Sequence, residues 1–126
     1  MLRRRAIVSA AIAILVLAGL YLVFRSSGNG NVPPQPRAYQ LAIRSRRVAS
    51  GSTVLEARQG DPITIGVTTD SAGMISIHGY EQMVDVKPGQ PVTLAFTADR
   101  AGRYAVDLHG ADNSHTEVAA LEVQPR

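Results

Sequence analysis

From Tyr39 to Val123, apolar residues return at every second position in short runs broken by turn formers. Ile63, Ile65 and Val67 make one run, Ile75 and Ile77 another, and Val84 and Val86 a third. Val92, Leu94 and Phe96 come next, then Tyr104, Val106 and Leu108, then Ala119, Leu121 and Val123. A period of two lines one face of a strand, whereas a helix needs 3.6. The breaks are Gly60-Asp61-Pro62, Asp70-Ser71-Ala72-Gly73, Lys87-Pro88-Gly89 and Asp99-Arg100-Ala101-Gly102. Pro88-Gly89 suits a type II turn, with proline fixing φ at the first central position and glycine supplying positive φ at the second. Tyr39, Leu41 and Ile43 predict a first strand ending near Val48, and Val54–Ala57 a second. About seven or eight short strands at this spacing predict an all-β, two-sheet Greek-key sandwich. With no tryptophan and 2 phenylalanines, its core has to be built from Val, Ile, Leu and Ala.

The sequence ahead of Tyr39 obeys a different rule. Ala6 to Phe24 carries no charge, and only Ser9 and Gly19 fall outside the apolar set. As a helix this run covers roughly 28 Å, against about 30 Å for a bilayer's hydrocarbon core. Arg3, Arg4 and Arg5 precede it, which predicts a cytoplasmic N-terminus and export of the chain beyond Arg25. A cleaved signal peptide is the alternative. The run is longer than a signal's apolar region and ends in Tyr21-Leu22-Val23-Phe24, which favours an uncleaved anchor. Arg25 to Arg37, RSSGNGNVPPQPR, reads as a flexible tether. The expected organisation is a basic leader (1–5), a transmembrane signal anchor (6–24), a tether (25–37) and one exported domain (38–126). That places the protein in a bacterial inner membrane as a single-pass chain, bilayer-bound through 6–24, with its domain periplasmic or extracellular.

The net charge of +3 divides along the same line. Five arginines and no acid precede Ala38; beyond it seven Arg and one Lys face ten acids. The domain is mildly acidic, so the charge gives no support for a nucleic-acid partner. The count of 0 cysteines removes disulfides, thiolate nucleophiles, iron–sulfur clusters and thiolate zinc sites.

The order of motifs resembles the cupredoxin-like domains, in particular those of bacterial envelope proteins, including ones attached to iron-uptake components. Gly60-Asp61-Pro62-Ile63-Thr64-Ile65 resembles the strand before the first copper ligand, and Ile75-Ser76-Ile77-His78-Gly79-Tyr80 the strand end carrying the first ligand histidine. Val86 to Phe96 resembles the family's proline-glycine hairpin, and Ala98 to Tyr104 the turn and G-x-Y strand leading to the remaining ligands. The resemblance covers about Leu55 to Gln124. It puts the blue-copper cysteine on Leu108 and the axial methionine near Val118 or Ala119, so both ligands are missing. A copper–thiolate electron carrier is excluded. The resemblance places His78 at the first histidine position, His115 at the second and His109 beside the lost cysteine, gathered at one end of the sandwich.

Three imidazoles can hold Cu(II) or Zn(II), and a thioether beside them favours Cu(I). The candidate metal ligands are therefore His78, His109 and His115, with Met83 and Met74 as thioethers and Asp112 and Glu117 as oxygen donors. Copper is the expected ion, ahead of zinc. Histidines at strand ends also serve as plain hydrogen-bonding groups, and His78, alternating with Ile75 and Ile77, can simply face outward. Catalytic motifs are absent: there is no H-E-x-x-H, phosphate loop or G-x-S-x-G. Asp107, His109, Ser114 and His115 only superficially suggest a triad, and no enzyme activity is expected. The sequence thus predicts an anchored binding domain, with a metal-free structural or protein-interaction module of the cell envelope as the alternative.

Overall fold

The computed structural model describes residues 2–26 and 32–126, with side chains of the N-terminal helix described over 11–23. The chain forms two compact units, Met1–Val32 and Pro33–Arg126. The first holds helix α1 (Leu2–Ser26), whose described side chains, Ile12, Leu15, Leu17 and Leu22 among them, are exposed. Among the described residues no helix is long and apolar enough to cross a membrane. The side chains of the expected leader, of residues 6–10 and of Phe24, and residues 27–31 of the expected tether, lie outside the described residues.

The second unit has nine strands: β1 (Arg37–Arg44), β2 (Arg47–Ser50), β3 (Val54–Arg58), β4 (Asp61–Thr69), β5 (Gly73–Ile77), β6 (Gln82–Val86), β7 (Val92–Ala98), β8 (Gly102–Gly110) and β9 (His115–Gln124). They form a four-stranded sheet, β2-β1-β4-β7, and a five-stranded sheet, β3-β9-β8-β5-β6. Both sheets are mixed, because β1 pairs in parallel with β4 and β3 with β9. Leu41, Ile43, Ile63, Ile65, Val67 and Leu94 turn inward from the first sheet. Leu55, Ile75, Ile77, Val106, Leu108 and Leu121 meet them from the second. Each run of alternating apolar residues thus becomes an inward row, and the aliphatic side chains fill the core between the sheets.

Two local features depart from simple alternation. The expected first strand breaks at Ser45–Arg46, whose φ values of 49° and 62° make a two-residue hairpin turn between Arg44 and Arg47. The basic cluster Arg44-Ser45-Arg46-Arg47 is therefore this turn. Its left-handed backbone is held from outside: the Ser45 N–H donates to Asp70 Oδ2 at 3.0 Å, and Arg46 Nη2 to both Asp112 carboxylate oxygens at 3.0 Å. The second feature is a bulge. The β8–β9 register jumps from Val106↔Ala119 to Asp107↔Glu117, leaving Val118 unopposed. Val118, Ala119 and Ala120 are consequently buried in succession. The Lys87–Gln90 turn agrees with expectation: the Gln90 N–H bonds the Lys87 carbonyl at 3.2 Å, and Gly89 takes φ 70°.

Asp61 ties both ends of this unit together. Its carboxylate, 1% exposed, accepts from the Gln35 N–H (3.0 Å), Arg58 N–H (2.9 Å), Arg37 Nε (3.3 Å) and Arg126 Nη2 (2.9 Å). Burial pushes this carboxyl up, but the Gln35 and Arg58 N–H groups and the Arg37 guanidinium outweigh it and hold the group below its ordinary 3.8.

Candidate metal centre on the outer face of the five-stranded sheet

Leu108, the position the resemblance gives to the blue-copper cysteine, is 2% exposed and packed in the core. Val118 and Ala119, the methionine positions, are core residues as well. The neighbouring His109 faces the other way. Along β8, Val106 and Leu108 turn inward, so Asp107 and His109 stand on the outer face. On β5, Ile75 and Ile77 are buried in the core, and Met74 and Ser76 take the opposite face. His78 continues that outer row one residue past the strand, with its side chain 59% exposed.

Strand register brings these rows together. The β5–β8 ladder sets Met74 opposite His109 and Ser76 opposite Asp107. The β8–β9 ladder sets His109 opposite His115, and the β5–β6 ladder sets Ser76 opposite Met83. His78 Nε2 lies 2.6 Å from Asp107 Oδ2. Ser76 Oγ lies 2.9 Å from His109 Nε2, fixing that ring against the sheet. The His109 and His115 rings meet edge to face, with centroids 4.2 Å apart. One ligand atom each from His78, Asp107 and His109 lies within 4.8 Å of the others. Beneath His78, Gly79 takes φ 83°, and a Cβ there would stand 2.7 Å from the Tyr104 ring. Only glycine lets the chain turn so closely over that ring.

The expected site residues therefore separate. His78 and His109 join one cluster, with His115 against the far edge of His109. Met83, 63% exposed, lies along the groove beside Ser76. Asp112 is committed to Arg46 and Ser114, whose hydroxyl and N–H bonds hold its carboxyl at about 2. Glu117 is committed to Arg103, at 2.5 Å. Asp107 and Ser76 are the partners that sequence reasoning misses as members of this cluster. The sequence sets Asp107 beside its neighbour His109, while its contact is His78, just past the end of β5.

His78, Ser76 and His109 line an open groove of about 610 Å³, together with Glu81, Asp85, Met74 and Met83, and Asp107 stands outside that lining. Among the described residues no lysine or arginine lines it. Acidic, imidazole and thioether groups without cationic ones favour a bound cation. Metal–nitrogen bonds of ~2.0–2.1 Å put two tetrahedral ligands about 3.4 Å apart. The 2.6 Å His78–Asp107 N···O contact is closer than two ligands of one ion would stand. An ion enters only by opening that pair, and exposed His78, beyond the end of β5, is the group free to swing. The Ser76–His109 pair has no carboxylate of its own, because Asp107 stands against His78.

No protein-family model and no curated protein matches this chain. Solved structures do. A chain in a cryo-EM structure of a heme-copper terminal oxidase dimer superposes with a TM-score of 0.58 at 18% identity, over 98% of this chain and 100% of that one. A multi-copper oxidase from Pseudomonas Thermotolerans matches at TM-score 0.56 and 19% identity, over 75% of this chain but only 31% of its own length. The periplasmic domain of subunit II of the cytochrome oxidase of Bradyrhizobium japonicum matches at 0.54 and 12%, over 70% and 83%. Identities this low speak to fold alone. The unit from Pro33 to Arg126 is thus a cupredoxin-like sandwich, and it lacks the blue-copper cysteine.

Proposed function

We propose that this chain is a membrane-anchored, extracytoplasmic binding domain that holds a transition-metal cation on its outer sheet face. His78, Asp107 and His109 are the ligands, and Cu(II) is preferred to Zn(II). The observation that carries this reading is the convergence of two imidazoles and a carboxylate within 4.8 Å, with both imidazoles lining a groove whose described lining has no lysine or arginine. Two imidazoles and a carboxylate suit divalent first-row metals, among which affinity peaks at copper. Without a thiolate the role is holding or passing on the ion, not blue-copper electron transfer. Anchoring is supported by the uncharged run Ala6–Phe24 and by the exposed apolar side chains of α1. The neighbour drawn from a heme-copper terminal oxidase matches 98% of the chain, a span that takes in most of that helix as well as the sandwich. A larger membrane assembly is therefore a fitting protein partner.

Copper titration tests the proposal. The chain should bind one Cu(II) at micromolar concentration or tighter, and His78→Ala, His109→Ala and Asp107→Asn should each weaken binding by about tenfold or more, at least what the loss of a ligand's supporting partner costs. His115→Ala should weaken it less. No stoichiometric binding at micromolar copper would sink the proposal.

A metal-free interaction module is the second reading. It is favoured by the closed His78–Asp107 and Ser76–His109 pairs, which satisfy one another without an ion. On that reading added copper leaves the melting temperature unchanged, whereas a bound ion raises it.

A further inference from the structure

A sheet edge offers unpaired N–H and C=O groups to any strand that comes near, and proteins blunt such edges with charge, proline, short strands or bulges. The four edges of this sandwich are not equally guarded. Strand β2 is only four residues long and carries Arg47. Strand β3 carries Glu56 and Arg58, and β6 carries Asp85. Strand β7, VTLAFTA, is seven residues long with no charge and no proline. It pairs with β4 in unbroken register from Asp61↔Ala98 to Val67↔Val92, so no bulge turns it away. Among the described residues no strand pairs with its other side.

The exposed side chains of β7 are Thr93, Ala95 and Thr97, while Leu94 and Ala98 are buried. That outer row reads the same in both directions about Ala95. We propose that β7 pairs antiparallel with β7 of a second copy of this chain, about a two-fold axis at Ala95. This register overlaps the whole strand, and the period of two keeps outward residues opposite outward residues. Thr93 then faces Thr97 of the second copy, a favourable cross-strand pair, and Ala95 faces its own counterpart. No like charges meet, and the two four-stranded sheets continue into one. A two-fold interface has to be self-complementary in this sense. The neighbouring outward residues Pro62 and Thr64 on β4 are small and exposed, and Gly66 lies under the Gln40 side chain.

The absence of cysteine makes the test direct. Ala95→Cys, introduced into the full chain in detergent and oxidised with diamide, should give a disulfide-linked dimer. Residues facing across such a pair are about 4.5–5.5 Å apart at Cα, within disulfide range. Ala49→Cys on the β2 edge, also exposed, should stay uncross-linked. Light scattering should report a dimer for the unmodified chain. Ala95→Lys sets two ammonium groups against each other and should weaken that dimer by at least about fivefold, the equivalent of about 1 kcal/mol. Ala95→Lys and Ala95→Glu, each impaired alone with unchanged circular dichroism, should form a mixed dimer on combination. A monomer at every concentration would overturn the proposal. So would cross-linking of Ala95→Cys no greater than that of Ala49→Cys, or a dimer indifferent to Ala95→Lys.

Discussion

Asp61→Asn is the sharpest probe of what holds the sandwich to its ends. The substitution keeps shape but removes the charge that four donors share, two of them guanidinium groups. Hydrogen bonds to a charged group contribute about 1.5–3 kcal/mol each, and breaking a buried ion pair from one side costs about 3–5 kcal/mol. Arg37 and Arg126 are 41% and 21% exposed, so both can turn partly to water. The expected loss is therefore lower, about 2–4 kcal/mol. For a domain of this size each kcal/mol moves the melting temperature by about 4–8 °C, so the substitution should lower it by roughly 10–25 °C. Thermal unfolding monitored by far-UV circular dichroism measures this. The pH dependence has a definite sign. The folded carboxyl sits below its ordinary 3.8, so its contribution is complete above that value and is lost as pH falls through the lower folded one. The unmodified protein should lose stability across that acid window more steeply than the Asp61→Asn variant. A shift under about 0.5 kcal/mol, the size of an ordinary surface substitution, would refute the reasoning, as would parallel pH profiles.

Three further outcomes rest on the same kinds of contact. A fragment beginning at Ala38 removes Gln35 and Arg37, two of the four donors to Asp61, and should melt well below one beginning at Pro33. Gly79→Ala forces a side chain into positive φ against the Tyr104 ring, and urea unfolding should show a loss of about 1–3 kcal/mol, with weaker copper binding as His78 moves. Asp112 should titrate by NMR with a midpoint of about 2, remaining ionised until pH falls through that value, and Arg46→Ala should raise the midpoint.

Much of the sandwich is legible in the sequence because period-two rows map directly onto buried faces. Ile63, Ile65 and Val67, or Tyr104, Val106 and Leu108, need no long-range information to be read as inward rows. The hairpin at Ser45–Arg46 is not legible, since its left-handed turn has no glycine and is held by Asp70 and Asp112 from distant loops. The site divides in the same way. That His78 faces outward is implied by its alternation with Ile75 and Ile77. That its partner is Asp107 depends on which strand lies beside β5 and in which register, and no local pattern encodes that pairing. The resemblance to copper domains identifies the fold, while the core role of Leu108 and the outward His109 belong to this chain's own side-chain placement.

The Asp61 knot also decides how the domain bears a pull. Force arriving along the chain ahead of β1 meets Gln35 and Arg37, both fastened to the first residue of β4. Strand β4 is interior, and β1 runs beside it in parallel over seven residue pairs from Arg37↔Ile63 to Ile43↔Thr69. The load therefore acts along the strands, and all rungs of that ladder resist it together as shear. An attachment on an edge strand pulled sideways would open its hydrogen bonds one at a time, like a zip. A domain anchored as proposed above is better served by the first arrangement.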